Sequence, residues 1–213
     1  MKSKWGRFPT CPPTKFLSAL LLLSAATQAQ DERRVTSPNG QVELRLFIAT
    51  QQNSNLSRIA YEVTYRDKPL IATSYLGLDI ADQEPLLGEN VGLTSSSSTT
   101  SSTYNSLLAK YMQNGSLGRL INIEARAYND GVAFRYVVPP STPLIEIEIV
   151  EEDTEFRPVN PTQVTITESD PKAYPPMHLD QTMQTRLSHP YKGTTPLTCP
   201  WRIISIRPSI IKP

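Results

Sequence analysis

The sequence predicts an all-β protein built from antiparallel sheets, on three observations. Apolar and polar residues alternate with a period of two in several segments, turn dipeptides such as Asn39-Gly40 and Asn114-Gly115 separate these segments, and no convincing amphipathic helix occurs after residue 30. Sheets that are apolar on one side pack against each other, so we expect a sandwich. The 213 residues suffice for one large domain.

The first 29 residues have the features of a secretory signal peptide. Four basic side chains precede an apolar run at 16–26, and small residues at 27 and 29 suit cleavage. The apolar run is well short of the roughly 20 residues needed to cross a bilayer. We therefore expect an exported protein, periplasmic or secreted, with no membrane span and with its fold in residues 30–213.

Charge and cysteine content exclude several classes of function. Without the signal peptide, 17 basic side chains stand against 20 acidic ones, a net charge of −3, so we expect no nucleic-acid partner. Cys11 is lost with the signal peptide, and Cys199 then has no cysteine to pair with. Two histidines, His178 and His189, are too few for an ordinary zinc centre.

The first strands follow from alternation. The segments "QVELRLFI" and "RIAYEVTY" predict two half-buried strands that pair antiparallel, and Arg66-Asp67-Lys68 predicts a polar turn after the second. "SYLGLDI" predicts a further short strand. The following tract "LTSSSSTTSST" has no apolar period, so we expect a mobile surface loop. Sugar binding by its hydroxyls is disfavoured because a binding loop needs rigidity.

Strand patterns resume in the second half. "NSLLAKYMQNGSLGRLINIEARAY" predicts two strands across the Asn114-Gly115 turn, and "VAFRYVVP" and "PLIEIEIVEEDTEF" predict more. Prolines crowd residues 157–213, which predicts edge strands, turns and wrapping segments there, because proline cannot donate to a central ladder.

The segment "AYNDGVAFRY" poses the question of an active-site pair. Asn129-Asp130-Gly131 is a strong hairpin signal, and Arg135 alternates with two aromatic residues, so we expect it on the opposite face, exposed or paired with an acidic neighbour. Neither Asp130 nor Arg135 is expected to act as acid or base. The acidic run "EEDTEF" is typical of a solvated rim, and we assign no catalytic residue.

Several segments together resemble a known family. "TSPNGQVELRL", "YEVTYRDKPLIATSYLGLDI", "EARAYNDGVAFRYVVP", "EEDTEF", "VTITESDPKAYPPMHL" and "TTPLTCPWRIISI" occur in the same order as in the N-terminal domain of glycoside hydrolase family 97. The resemblance runs from about Val35 to about Arg207. It implies a β-super-sandwich of antiparallel sheets, related to galactose mutarotase, in an exported bacterial α-glucosidase or α-galactosidase.

The resemblance also implies a division of labour. In the family, a catalytic (β/α)₈ barrel carries the acid and base, and the sandwich helps to shape the pocket for an α-glycoside or α-linked oligosaccharide. The sandwich also lends one glutamate to a calcium ion, and Glu168 in "ITES" matches that residue. Calcium takes carboxylate oxygens, so a strand-end glutamate suits the role.

The sequence departs from the family in length. A barrel needs about 250 residues, so we expect this chain to lack one and to be inactive alone. Fewer residues than in the family separate "TEF" from "ITE" and "MHL" from "TTPL", so we expect a sandwich that is incomplete, with an exposed edge.

Two functions from different classes remain. The first is a non-catalytic sandwich domain of an α-glycosidase, and the alternative is a free-standing carbohydrate-binding protein without hydrolase activity. A sugar platform needs exposed aromatic residues, and the candidates are Tyr104, Tyr111, Tyr174 and Trp201. Because Trp201 leads into an apolar strand, its position favours the core over a platform.

Overall fold

The computed structural model describes residues 32–51, 55–115, 118–141, 144–159, 164–168, 177–178, 183–185 and 191–206, with side chains up to residue 159 and again from residue 193. The predicted signal peptide and Tyr174 lie outside the described residues. Every element in the described part is a strand, and it contains no helix that is long and apolar enough to span a membrane.

Eighteen strands follow one another in the described part of the chain. They are β1 Arg33–Thr36, β2 Val42–Thr50, β3 Ser57–Tyr65, β4 Lys68–Tyr75, β5 Leu78–Ile80, β6 Gln83–Leu87, β7 Val91–Thr99, β8 Tyr104–Gln113, β9 Leu120–Tyr128, β10 Gly131–Val138, β11 Glu146–Glu152, β12 Thr154–Phe156, β13 Val164–Glu168, β14 Met177–His178, β15 Met183–Thr185, β16 Tyr191–Thr194, β17 Leu197–Thr198 and β18 Arg202–Ile206.

All of the described strand pairs are antiparallel, as predicted. The largest sheet has eight strands, in the order β14-β13-β18-β10-β9-β8-β7, with β17 also paired to β10. Two four-stranded sheets have the orders β1-β2-β3-β4 and β16-β11-β5-β6, and β12 pairs with β15. The predicted pairing of the first two alternating segments is confirmed, since Val42 lies opposite Tyr65 and Thr50 opposite Ser57.

The core lies between the eight-stranded sheet and the first four-stranded sheet. Alternate residues of β2 and β3 are fully buried, as their period of two predicted, and they meet the buried alternate residues of β8, β9 and β10. Tyr61 of β3 and Phe134 of β10 have ring centroids 5.0 Å apart. Burial of one face of each sheet is the main source of stability.

Most of the hydroxyl-rich tract, residues 93–99, is a strand, so the prediction of a loop was wrong there; residues 100–103 connect this strand to β8. Residues 91–99 form β7, which pairs with β8 at the edge of the eight-stranded sheet. Most of its side chains are exposed, and an edge strand needs no apolar face when its backbone pairs with a neighbour. Threonine favours strands, and serine hydroxyls stay hydrated on the exposed faces.

The predicted strand "SYLGLDI" is interrupted in its middle. β4 ends at Tyr75 and β5 begins at Leu78. At the break, an added Cβ on Gly77 would lie 2.0 Å from Leu86 Cδ2 and 2.8 Å from a guanidinium nitrogen of Arg58. A larger residue at position 77 would therefore have to displace the ends of the Leu86 and Arg58 side chains, which pack against the backbone at this break.

Two short hairpin turns differ in their backbone. Arg66 and Asp67 connect β3 to β4 with φ values of 51° and 62°, the left-handed conformation of a primed hairpin turn. Asn129 and Asp130 connect β9 to β10, as predicted, but neither is among the described residues with positive φ. The Asn-Asp-Gly turn therefore exists without the left-handed torsions that its sequence tolerates.

Candidate functional site

The side of the eight-stranded sheet that faces away from the core, here called the outer face, carries polar and aromatic side chains. Because inner and outer residues alternate along a strand, the partners of the buried residues of β8, β9 and β10 fall on this face. Most of them are half-buried, whereas Lys110 and Met112 of β8 are exposed. The outer face includes Tyr104, Ser106, Leu108, Glu124, Arg126, Tyr128 and Arg135.

A cavity of about 260 Å³ opens on the outer face, and we call it the Trp201 cleft. Strands β8, β9 and β10 supply its floor, and the residue just before β18 supplies one side. Its polar and aromatic lining consists of Tyr104, Ser106, Glu124, Arg126, Arg135 and Trp201. The cleft thus combines rings, hydroxyls, one carboxylate and two guanidinium groups in a small concave space.

Arg135 is an ion-pair residue of the cleft. Its Nε and one terminal nitrogen each lie 2.6 Å from Oε2 of Glu124, directly opposite on β9. Its guanidinium carbon is 4.5 Å from the ring centroid of Trp201. Of the two positions expected for Arg135, exposed or paired with an acidic neighbour, the structure shows the second. The pair neutralises one of the two positive charges in the cleft.

Arg126 lies against two aromatic rings. Its guanidinium carbon is 4.7 Å from the ring centroid of Tyr104 and 4.5 Å from that of Trp201. Tyr104 in turn contacts Tyr128, with ring centroids 5.2 Å apart. Cation–π contacts of this kind hold the guanidinium plane in place while its N–H edge stays available for hydrogen bonding.

Trp201 is not a core residue, so that prediction was wrong. The next residue, Arg202, is buried on the inner side, where its Nε donates to Glu152 Oε1 at 2.8 Å and its Nη2 also donates to Glu152. Successive residues of an extended chain point to opposite sides. Arg202 therefore directs Trp201 to the outer face, where it is half-buried.

The other predicted platform residues have different positions. Tyr104 lines the Trp201 cleft. Tyr111 is fully buried in the core, so its prediction as an exposed platform residue was wrong, because its parity along β8 is that of the inner residues. Asp130 lies in the β9–β10 turn and lines neither of the two described cavities. Asp130 and Arg135 are not brought together as an acid–base pair.

Glu124 and Arg126 were missed by the sequence analysis. They alternate with the buried residues of "INIEARAY", so their outer position could have been inferred from periodicity. The contact with Trp201 could not, because Trp201 lies just before β18, and β18 pairs with β10, a strand that is far away in the sequence.

A buried polar network lies beneath the cleft strands. Thr154 Oγ1 donates to Glu152 Oε1 at 2.7 Å and is 2.6 Å from the Tyr136 hydroxyl, which accepts a hydrogen bond from the Gly77 N–H. Burial, followed by the charge of Glu152, raises the pKa of Tyr136 above its ordinary value and that of Cys199 to about 12. The network holds β18 in place and offers no accessible reactive group.

Among the described carboxyl groups, Glu89 has a raised pKa. The first cause is burial, which outweighs the opposing effect of Arg58. A glycosidase needs a raised-pKa acid together with a second carboxylate across a sugar-sized space. Glu89 lines neither described cavity, and the nearby Asp153 is bound to Arg58 at 2.8 Å. This arrangement does not make a catalytic pair.

A second cavity, of about 470 Å³, is lined by Asp82, Gln83, Glu146 and Glu148 and has no aromatic residue. Its carboxylates do not form a metal-binding group, and no group of three His, Cys, Asp or Glu suited to a metal ion occurs in the described ranges. Calcium needs six to eight oxygen ligands, so the described side chains do not make a calcium site by themselves.

Glu168 is the last residue of β13 and lies opposite Arg202 in the strand register. The sequence predicted this position at the end of a strand. The side chain of Glu168 is not among the described side chains.

Antiparallel sheets around a shared core, with an aromatic and charged cleft on one outer face, define a β-sandwich domain. Residues 35–163, more than half of the chain, match the family model described as glycosyl-hydrolase 97 N-terminal. The chain belongs to this family. Glu168 and Trp201 lie beyond the matched residues, whereas Tyr104, Arg126 and Arg135 lie within them.

Part of this chain is similar to parts of known glycoside hydrolases. A retaining alpha-galactosidase of Bacteroides thetaiotaomicron is 26% identical over 137 residues, which are 57% of this chain and 19% of that protein. A glycoside hydrolase family 97 enzyme of Pseudoalteromonas sp. strain K8, solved in complex with acarbose, superposes with a TM-score of 0.66 at 19% identity. The superposition covers 82% of this chain and 35% of the enzyme.

A beta-arabinopyranosidase structure superposes with a TM-score of 0.63 at 16% identity, over 84% of this chain and 40% of that one. This chain thus spans about a fifth of the curated relative and about a third of the acarbose-bound enzyme. The structural matches establish the sandwich fold.

Proposed function

We propose that this chain is the non-catalytic sandwich domain of an exported glycoside hydrolase that acts on α-linked sugars, and that its Trp201 cleft contacts the carbohydrate. A catalytic (β/α)₈ barrel supplies the acid and base in this proposal. The observation that carries it is the cleft itself: a concave, half-buried group of rings, hydroxyls and charges on the outer face of a glycosyl-hydrolase 97 N-terminal sandwich.

The described side chains support a non-catalytic role. Glu124, the carboxylate of the cleft, is held by Arg135, and no second carboxylate lines the same cavity in the described part. Glycoside hydrolysis needs two carboxyl groups about 5 Å or about 6.5–9.5 Å apart, with one kept protonated. The cleft has the groups to bind a sugar hydroxyl and lacks the pair to cleave a glycosidic bond.

Calcium enters this proposal through Glu168. We propose that its carboxylate contributes one ligand to a calcium ion whose remaining oxygens come from the barrel. A single carboxylate provides too few oxygens for a stable site. The role of Glu168 in this chain is therefore to complete a site at a domain boundary, and the isolated chain is expected to hold the ion very weakly.

The alternative is a free-standing carbohydrate-binding protein, which the same cleft would serve. Genomic context distinguishes the two functions. A reading frame for a barrel directly downstream favours the glycosidase domain, and its absence favours the binding protein.

The proposal can be tested with the chain's own fluorescence. The sequence has two tryptophans, Trp5 and Trp201, so in a full chain carrying Trp5→Phe the emission reports on the cleft alone. We expect a saturable change in emission on titration with α-linked disaccharides such as maltose or melibiose. We expect no release of p-nitrophenol from p-nitrophenyl α-glucoside or α-galactoside.

Two outcomes would overturn parts of the proposal. Hydrolysis that follows the protein through purification would show that the sandwich carries its own catalytic carboxylates. Emission that no neutral or acidic sugar changes, in a chain that melts cooperatively, would show that the cleft does not contact carbohydrate.

A further inference from the structure

Arg126 differs from the other described arginines in its contacts. No oxygen of a described residue accepts a hydrogen bond from its guanidinium or forms an ion pair with it; its contacts are with the rings of Tyr104 and Trp201. The guanidinium groups of the other described arginines each donate to, or form an ion pair with, at least one oxygen, as Arg58 does with Leu76 and Arg157 does with Glu155. Arg126 therefore presents to a cavity N–H donors that no oxygen of the described residues uses.

The position of this guanidinium is fixed although it makes no hydrogen bond within the described part of the chain. Both rings that it contacts are themselves held: Tyr104 packs on Tyr128, and Trp201 also contacts Arg135. A guanidinium that is oriented in advance loses little side-chain entropy on binding. Its planar fork of donors matches the two oxygens of a carboxylate, which is the pairing that guanidinium groups make best.

The charge of the cleft favours an anion. Arg126 and Arg135 bring two positive charges, and Glu124 cancels one of them through its 2.6 Å contacts with Arg135. The remaining positive charge belongs to the guanidinium with free donors. The aromatic rings do not present a bare face for a neutral sugar in the usual way, because Trp201 is covered by two guanidinium groups at 4.5 Å.

We infer that the Trp201 cleft binds a sugar that carries a carboxylate, a uronic acid residue, with Arg126 donating two hydrogen bonds to that carboxylate. This inference rests on the proposed function and specifies its ligand. The volume of about 260 Å³ lies just below the usual range of ligand pockets, which suits a single sugar ring. Ser106, Tyr104 and Glu124 offer hydroxyl and carboxylate partners for the ring hydroxyls.

The test compares an acidic sugar with its neutral counterpart. The Trp201 emission of the full chain carrying Trp5→Phe is titrated with methyl α-glucuronide, methyl α-glucoside and sodium acetate at constant ionic strength. A charge-assisted hydrogen bond contributes enough for about a tenfold difference in affinity or more. We expect the glucuronide to bind at least about tenfold more tightly than the glucoside and the acetate.

Variants assign the preference to Arg126. Arg126→Gln should abolish the difference between the glucuronide and the glucoside, and Arg126→Lys, which keeps the charge without the fork, should lose most of it. Arg66→Gln is the matched control, because Arg66 also lies 5.0 Å from a tyrosine ring centroid but in the β3–β4 turn. It should leave the preference unchanged, and circular dichroism checks that each variant is folded.

The outcomes separate this inference from the proposed function. Equal affinity for the glucuronide and the glucoside would leave a carbohydrate cleft and overturn the acidic ligand. Acetate binding as tight as glucuronide binding would show a general anion site, or a site for the carboxylate of a protein partner, and would overturn the sugar. If neither sugar binds to a folded chain, the inference and the carbohydrate cleft fail together.

Discussion

The ion pair of Glu152 and Arg202 is buried, with about 1% of each side chain exposed. Removing one partner leaves the other as a buried charge without compensation, which is costly in proteins. We predict that Glu152→Gln lowers the free energy of unfolding by about 3–5 kcal/mol, measured by urea denaturation.

Glu124→Gln is the control for that prediction, because it removes a similar ion pair on the outer face. The Glu124 and Arg135 side chains are 32% and 27% exposed, so solvent screens their interaction. The expected loss is below about 1 kcal/mol. If the two variants lost equal free energies of unfolding, the burial of Glu152 and Arg202 would not increase the contribution of their ion pair.

Cys199 gives a prediction for alkaline pH. Burial raises the pKa of its thiol to about 12, whereas an unfolded cysteine has a pKa of about 8.5. A raised pKa contributes stability that is complete below the unfolded value and is lost as the pH rises towards the folded one. In a Cys11→Ser chain, we expect the free energy of unfolding to fall between about pH 9 and pH 12.

The thiol contribution can be isolated with Cys199→Ala. Tyr61 and Tyr136 are buried with raised pKa values and act in the same direction, so some alkaline loss remains in that variant. The loss should be smaller than in the parent chain over the same pH range, as urea midpoints would show. The prediction would be contradicted if the parent chain and Cys199→Ala lost the same free energy of unfolding over this pH range. Rapid reaction of the native thiol with Ellman's reagent at pH 8 would also contradict it.

At the residue level, Trp201 shows why sequence periodicity was insufficient. The run "WRIISI" suggests an apolar strand in which the tryptophan is buried and the arginine exposed. In the structure the arginine is buried and the tryptophan lies on the outer face, because the Arg202 side chain is paired with Glu152, 50 residues away in the sequence. No local pattern contains that partner, so the direction of Trp201, and with it the cleft, could not be derived from the sequence.

At the scale of elements, the sequence predicted the strands whose information is local. The pair β2–β3 follows from alternation, and the pair β9–β10 follows from alternation and a two-residue turn, because one face of each strand must be buried. β7 was missed, since an edge strand is held by backbone hydrogen bonds to β8 and its serine-rich side chains carry no signal of burial.

The β3–β4 turn offers a prediction at the same scale. Asp67 has φ 62°, a conformation that costs energy for a residue with a Cβ and none for glycine. We predict that Asp67→Gly raises the free energy of unfolding by about 0.5–1 kcal/mol, measured by thermal or urea denaturation.

Asp130→Gly is the matched control in the β9–β10 turn. Asp130 is not among the described residues with positive φ, so glycine relieves no strain there and only adds freedom to the unfolded chain. This variant should be no more stable than the parent chain. A stabilising Asp130→Gly together with a destabilising Asp67→Gly would reverse the assignment of the two turns.

At the scale of the whole molecule, the fold class was predictable and the calcium chemistry stays a prediction. The described sheets share one main core, which the alternating segments anticipated. If Glu168 is one ligand of a site completed by a barrel, this chain alone cannot supply six to eight oxygens. We predict that millimolar calcium, compared with EDTA, leaves its melting temperature unchanged. A clear rise would show that the chain holds a full set of ligands.

The order of strands in the eight-stranded sheet also bears on synthesis. β18, the last described strand, lies between β10 and β13 and is the link between them. A ribosome finishes β10 at Val138 and begins β18 at Arg202, 64 positions later in the sequence. Strands β7 to β10 can pair with one another during that interval, but β13 has no strand that joins it to β10 until β18 has been made, so the eight-stranded sheet is completed only by the last described strand.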